Sequence, residues 1–103
     1  MEPPSLRQAG LTALHEAATS GHLHVVLVLL GCGARVDVTT EFGSTPLMCA
    51  AAFGQVDVAR VLLACGADVN FHDKRGGTAL DIANEKCEDE MAEFLESFAK
   101  HCA

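Results

Sequence analysis

Apolar residues recur along the chain with the spacing of short amphipathic helices. Val58, Val61 and Leu62 lie three and four positions apart, which places them on one face of a helix. An earlier stretch from Val25 to Leu29 repeats this spacing. Together with their flanking residues, these two apolar faces predict helices over residues 23–31 and 56–64. A third helix is predicted over residues 89–99.

Threonine, proline and glycine mark where further elements begin and end. Thr45 and Thr78 each precede a run rich in Leu and Ala, and a threonine hydroxyl there can accept from a free N–H of the first helical turn. Pro46 suits the first helical position, where its missing N–H costs nothing. Gly33 and Gly66 suit the left-handed position that ends a helix. The sequence therefore predicts a second set of short helices, which begin after Thr12, Thr45 and Thr78 and end near Gly21, Gly54 and Cys87.

This pattern of elements recurs every 33 residues. Matching residues stand at the same place in successive units: Gly10, Gly43 and Gly76; Leu14, Leu47 and Leu80; Ala17, Ala50 and Ala83. A fixed period of this size indicates stacked repeats, in which each unit buries its apolar face against the next. We therefore divide the chain into a tail over residues 1–6 and units over 7–39, 40–72 and 73–103.

Each unit resembles the ankyrin repeat. The motifs TALHEAA at 12–18, TPLMCAA at 45–51 and TALDIA at 78–83 match its T-P-L-H-x-A signature, and the period matches as well. The resemblance covers about residues 7–100. It implies an all-α solenoid of three helix-turn-helix units with short β-hairpin-like loops. It also implies a non-catalytic interaction module or adaptor that binds a partner protein through a concave groove.

Amino-acid composition and charge limit the classes of partner and the cellular compartment. The 103 residues are 50% hydrophobic and 20% charged, which fits one folded domain. The net charge of −7 argues against direct contact with nucleic acid. The longest apolar run, Val25 to Leu30, is too short to insert in a membrane. Five widely spaced cysteines without a CxxC motif indicate reduced thiols, and therefore an intracellular protein of the cytoplasm or nucleus.

No residue pattern indicates catalysis. Asp81 and Glu85 lie on a helix that is expected to be solvated, whereas acid–base chemistry needs a pocket that shifts the pKa of a carboxyl group. Cys49 falls on an apolar helix, so we expect a buried and inert thiol. His15 occupies the histidine of the signature, where the resemblance implies a hydrogen bond between repeats. We therefore expect no catalytic residue, metal site or cofactor.

The resemblance also implies a partner-binding surface. Carried over position by position, the candidate residues are Glu41, Phe42, Ser44, Phe53, His72, Lys74, Arg75 and Lys86. Phe42 and Phe53 stand out because aromatic side chains concentrate binding energy at interfaces. The alternative for Phe53 is packing on a neighbouring hairpin, and the alternative for Lys74 and Arg75 is a plain polar turn.

One segment resembles a modification site. Leu62 stands eight residues before Asn70, and Asp-Val comes just ahead of that asparagine, as in the ankyrin segments that an asparaginyl hydroxylase modifies. The resemblance makes Asn70 a possible hydroxylation target. The alternative is an ordinary turn asparagine that is never modified.

The two ends of the stack differ from its middle. Asp89 and Glu96 stand where earlier units carry Leu or Val, which fits a capping unit. Leu27 stands where later units carry charged residues. Either the N-terminal segment folds back over it, or the chain is part or a short form of a longer array, or a partner covers it. The alternative function is therefore a terminal part of a larger ankyrin scaffold or regulatory subunit, and we expect a monomer or a member of a larger assembly.

Overall fold

A computed structural model describes residues 13–101. Its six helices are α1 (Ala13–Ser20), α2 (Leu23–Gly31), α3 (Pro46–Ala52), α4 (Val56–Ala64), α5 (Ala79–Glu85) and α6 (Asp89–His101). No strand occurs over this range, so the loops between units are turns. The prediction of an all-α repeat stack is confirmed, and α6 runs slightly beyond the predicted end.

The helices form two layers along an elongated stack of 43 × 28 × 21 Å. The first helices of the units (α1, α3, α5) pack side by side, and the second helices (α2, α4, α6) form the layer behind them. Small residues such as Ala50 and Ala51 are fully buried and let neighbouring helices approach closely. Leu47, Leu62 and Leu95 fill the core between the layers. The core is therefore formed both by the two helices within each unit and by contacts between neighbouring units.

The predicted helix starts are confirmed where the structure describes them. The Thr45 hydroxyl accepts from the Met48 N–H at 3.3 Å. The Thr78 hydroxyl accepts from the Asp81 N–H at 3.3 Å, and the Asp81 carboxylate accepts from the Thr78 N–H at 3.0 Å. This reciprocal pair satisfies two free donors of the first turn. Thr12 lies outside the described residues.

The turn inside each unit needs a left-handed residue. Gly21 and Gly54 adopt φ of 76° and 68°, and Cys87 adopts 60° at the equivalent place. A Cβ at Gly21 would overlap the Gln55 side chain of the next unit, and one at Gly54 would overlap Glu88. Cys87 is exposed, with no further unit packed on it in the described chain, so its Cβ fits although its backbone is strained.

This difference gives opposite expectations for two substitutions. Cys87→Gly should raise the free energy of unfolding by about 1 kcal/mol, because it relieves left-handed strain at an open site. Gly54→Ala should lower it by about 1–3 kcal/mol, since it adds strain and displaces Glu88. Urea titration followed by circular dichroism measures both changes. Destabilisation by Cys87→Gly would contradict this explanation of the turn.

Candidate protein-binding groove

A groove of 180 Å³ lies between α3 and α5 on the first-helix layer. Its walls are formed by Ser44, Met48, Cys49, Ala52, Phe53, Asp73, Arg75, Ile82, Glu85 and Lys86. We call it the α3–α5 groove. The structure thus brings four of the predicted site residues together: Ser44, Phe53, Arg75 and Lys86.

Both predicted aromatic anchors point largely into solvent. Phe53 follows the last residue of α3 and is 59% exposed, while Phe42 is 67% exposed. Phe42 is not a wall of the groove; it lies in the preceding turn, where its carbonyl accepts from the Lys74 N–H at 3.1 Å. That bond joins the turns of two successive units. Both rings therefore leave most of their surface available for contact, Phe42 before α3 and Phe53 after it.

Two buried polar side chains, Thr40 and Asp73, hold the turns that carry Phe42 and Arg75. The Thr40 hydroxyl accepts from the N–H groups of Phe42 at 3.2 Å and Ser44 at 3.3 Å. The Asp73 carboxylate accepts from the N–H groups of Arg75 at 2.9 Å and Gly77 at 3.0 Å. Sequence reasoning missed both. Their signal was two turn-forming residues 33 positions apart, each three residues before a glycine.

Charges of both signs surround the groove. The Arg75 guanidinium lies 3.9 Å from the Asp73 carboxylate, yet its side chain is 76% exposed, so the pair is loose. Lys74 and Lys86 are exposed as well, and Glu85 adds a carboxylate to the wall. The remaining predicted residues, Glu41 and His72, are exposed in the segments before α3 and α5, outside the groove wall.

His15 makes the inter-repeat hydrogen bond that the resemblance implied. Its ring is fully buried, and Nε2 lies 2.9 Å from the Ser44 carbonyl of the next unit, to which it donates. Burial lowers the pKa of the imidazole, and hydrogen bonds to the backbone of Ser44 and Val38 raise it to a smaller extent. Over residues 13–101, no three His, Cys, Asp or Glu side chains converge as metal ligands.

The buried imidazole makes the stack sensitive to acid. Its pKa is lower when folded than when unfolded, so the unfolded chain binds more protons. Stability should therefore fall as the pH drops below about 6.5 towards the folded pKa. Thermal melts between pH 7.5 and 5 should show this loss, and His15→Gln should make the slope shallower. An equal slope in both proteins would assign the acid sensitivity to other groups.

Cys49 and Asn70, which the sequence also singles out, lie on a helix and in a turn respectively. Cys49 is half-buried on α3, and burial raises the pKa of its thiol, with a smaller opposing effect from a hydrogen bond to the Thr19 side chain. The thiolate is therefore disfavoured at neutral pH. Asn70 is exposed in a turn, where its N–H donates to the Asp68 carboxylate at 2.9 Å. The Asp68 N–H in turn donates to Asp37 of the preceding unit at 3.3 Å.

Comparison with models of known protein families identifies the repeats. A family model described as ankyrin repeats, in three copies, matches residues 14–102. No curated protein matches the chain significantly. Among residues 13–101, no helix has the length and apolar character needed to cross a membrane.

Proposed function

The chain belongs to the ankyrin-repeat family, and from this premise we propose that it is a non-catalytic adaptor that binds a partner protein through the α3–α5 groove and its adjoining turns. Ankyrin repeats are generally protein–protein interaction modules and are typically non-catalytic. The observation that carries the proposal is the pair of exposed rings: Phe53 lies in the groove wall at the end of α3, and Phe42 lies in the hydrogen-bonded turn before α3.

The groove favours a partner segment with an apolar side chain next to a carboxylate. Met48, Ala52 and Ile82 supply apolar wall, beside the ring of Phe53. Arg75 and Lys86 supply exposed positive charge at the same groove. Because the turns are ordered before binding, little conformational entropy is lost when a partner docks. The cations set the register and the association rate more than the affinity.

The proposed cellular setting follows from composition. A net charge of −7 supports a partner that is a protein rather than a nucleic acid. The odd number of widely spaced cysteines supports a reducing compartment, the cytoplasm or the nucleus. Alkylation of the protein at the moment of lysis should label all five cysteines. Recovery of disulfide-linked peptides after such trapping would contradict an intracellular location.

Site-specific photocrosslinking in cells tests the groove. A photoreactive amino acid at Lys86, on the groove wall, should crosslink a protein that the same group at Arg60 does not. Arg60 is the matched control, since it is an exposed cation on α4 in the other layer. Crosslinking from Arg60 alone would place the binding surface elsewhere and contradict the proposed function.

Asn70 carries a second proposal, modification by an iron- and 2-oxoglutarate-dependent asparaginyl hydroxylase. Its exposure in a turn supports access by an enzyme. The Asp68 carboxylate, which already accepts the Asn70 N–H, can accept a bond from an added hydroxyl. One such bond contributes about 0.5–1 kcal/mol, so the modified turn should be slightly more stable.

Mass spectrometry tests whether Asn70 is hydroxylated. After incubation with the hydroxylase, iron, oxygen and 2-oxoglutarate, the peptide that contains Asn70 should gain one oxygen atom. The reaction should be faster with Leu63→Ala, because a loosened stack releases the segment more often. Asn70→Ala is the control that should abolish the mass gain. No gain on wild-type or loosened protein would eliminate the proposal.

A further inference from the structure

Helix α2 carries three of the five large hydrophobic side chains that are exposed among the described residues. Its sequence, LHVVLVLLG, contains no acidic residue, lysine or arginine. Three of its side chains, Val25, Leu27 and Val28, are 45%, 48% and 53% exposed. Only Val26 on this helix is buried. A helix of this composition is normally covered on more than one side.

The repeat register shows what covers the same positions elsewhere. Val25 is 45% exposed, whereas Val58 and Met91, which occupy its place in the second and third units, are 1% and 0% exposed. The second and third units each have a unit packed on their N-terminal side, where α2 contacts α4 and α4 contacts α6. Val25 therefore occupies a position that is buried by stacking in both later units.

The residue before each second helix repeats this relation. Gln55 packs over Gly21 of the preceding unit and donates from its side-chain amide to the Thr19 carbonyl at 3.2 Å. Glu88 packs over Gly54 in the same way. The equivalent residue in the first unit is His22, whose side chain is exposed. His22 therefore stands where the later units place a side chain over the turn glycine of the preceding unit.

The surface beside these residues is concave. A hollow of 520 Å³ has a mixed wall, which includes Glu16, Thr19 and Ser20 of α1 together with His22 and Val25. A second hollow of 240 Å³, almost wholly apolar, lies at the other end of this helix pair and includes Leu14 and Leu29. Val25 lies in the wall of the first hollow and Leu29 in the wall of the second, so both hollows adjoin α2.

We propose that this N-terminal face, defined as His22, Val25, Val28 and Leu29, docks one further helix pair of the ankyrin-repeat class, in the register that joins the first and second units. The matching surface is uncharged and aliphatic, with a glycine turn opposite His22. The proposal is independent of the α3–α5 groove, which lies on other helices.

A second copy of this chain stacked head to tail does not supply such a surface. The outer side of α6 exposes Asp89 and Glu96 where the earlier units carry Leu or Val. Packing these carboxylates against the valines of α2 would remove them from water beside a helix with no lysine or arginine to pair with them, which is costly. The surface that fits resembles the first and second units rather than the third.

A grafted repeat tests the proposal with the full chain. A copy of residues 40–72 is inserted between residues 6 and 7, which preserves the 33-residue register. The extended protein should unfold in one cooperative transition, with a thermal midpoint about 10 °C or more above that of the natural chain. Amide hydrogen exchange in α2 should slow by about 100-fold or more, because the helix becomes internal.

Val25→Glu tests whether the N-terminal face forms the contact with the grafted repeat. In the natural chain this exposed residue should tolerate the change with a midpoint shift below about 3 °C. In the extended chain the same change should remove most of the gain, because it buries a charge. Leu27→Arg is the matched control and should be neutral in both proteins, since exposed Arg60 occupies that position in the second unit.

Three outcomes would overturn the proposal. The first is equal effects of Val25→Glu in the natural and extended chains, which would mean that the graft does not stack. The second is a dimer of the natural chain in sedimentation equilibrium that Val25→Glu dissociates, which would make a second copy the occupant. The third is a loss of α2 protection when residues 2–6 are deleted, which would make the tail the occupant.

Discussion

Replacing Leu62 with alanine should lower the free energy of unfolding by about 2–5 kcal/mol. Leu62 is 0% exposed and lies on α4, which packs against α3 and contacts the second helices of both neighbouring units. In a linear stack, a cavity in the central unit weakens the interfaces on both sides. The free energy of unfolding of a domain of this size is roughly 5–15 kcal/mol, so this substitution should remove a large share of it. Urea titration measures it.

Leu27→Ala is the control for this result. It removes the same atoms from a helix one unit earlier, but Leu27 is 48% exposed. The expected cost is below about 1 kcal/mol, because little buried surface and no cavity are involved. Equal costs for the two substitutions would mean that the second helices do not bury the residues that the repeat register assigns to the core.

The double substitution Phe42→Ala/Phe53→Ala should weaken partner binding by about 1–4 kcal/mol, or roughly 5- to 1000-fold in Kd. The rings are 67% and 59% exposed, so the thermal midpoint should stay nearly unchanged. Isothermal titration with the crosslinked partner, once identified, measures affinity, and a thermal melt of the free protein measures stability. A fall of many degrees in the midpoint would show that the rings are structural.

Phe94→Ala should have the opposite effect, a loss of stability without a loss of partner affinity. Phe94 is half-buried on α6, with the Arg60 guanidinium 5.0 Å from its ring centre and the Phe98 ring at 6.3 Å. Its loss should destabilise the stack by about 1–3 kcal/mol while groove affinity is retained. Together the variants separate loss of binding from loss of folding.

The elements that the sequence predicts well are those set by local chemistry. Thr45 and Thr78 cap their helices through residues three positions away, and Gly33 and Gly66 take the left-handed backbone that ends α2 and α4. Helix starts and ends depend on such short-range bonds, so motif and spacing predict them closely. The 33-residue period then predicts the stack, because each unit repeats the same buried positions.

The groove is predicted less completely because it depends on contacts between units. The bond from the Lys74 N–H to the Phe42 carbonyl joins residues far apart in sequence, and it sets where both turn tips lie. Asp73 looks like a surface acid in the sequence, yet it is buried and holds the turn that carries Arg75. Residue type alone did not distinguish groove wall residues from Glu41 and His72, which lie outside it.

Hydrogen–deuterium exchange of the chain, alone and saturated with its crosslinked partner, would map the binding surface directly. If the partner occupies the α3–α5 groove, amide exchange should slow in the turns at 40–44 and 73–77 and at the end of α3, while α4 stays unchanged. Protection confined to α2, α4 and α6, with no change in those turns, would contradict binding through the groove.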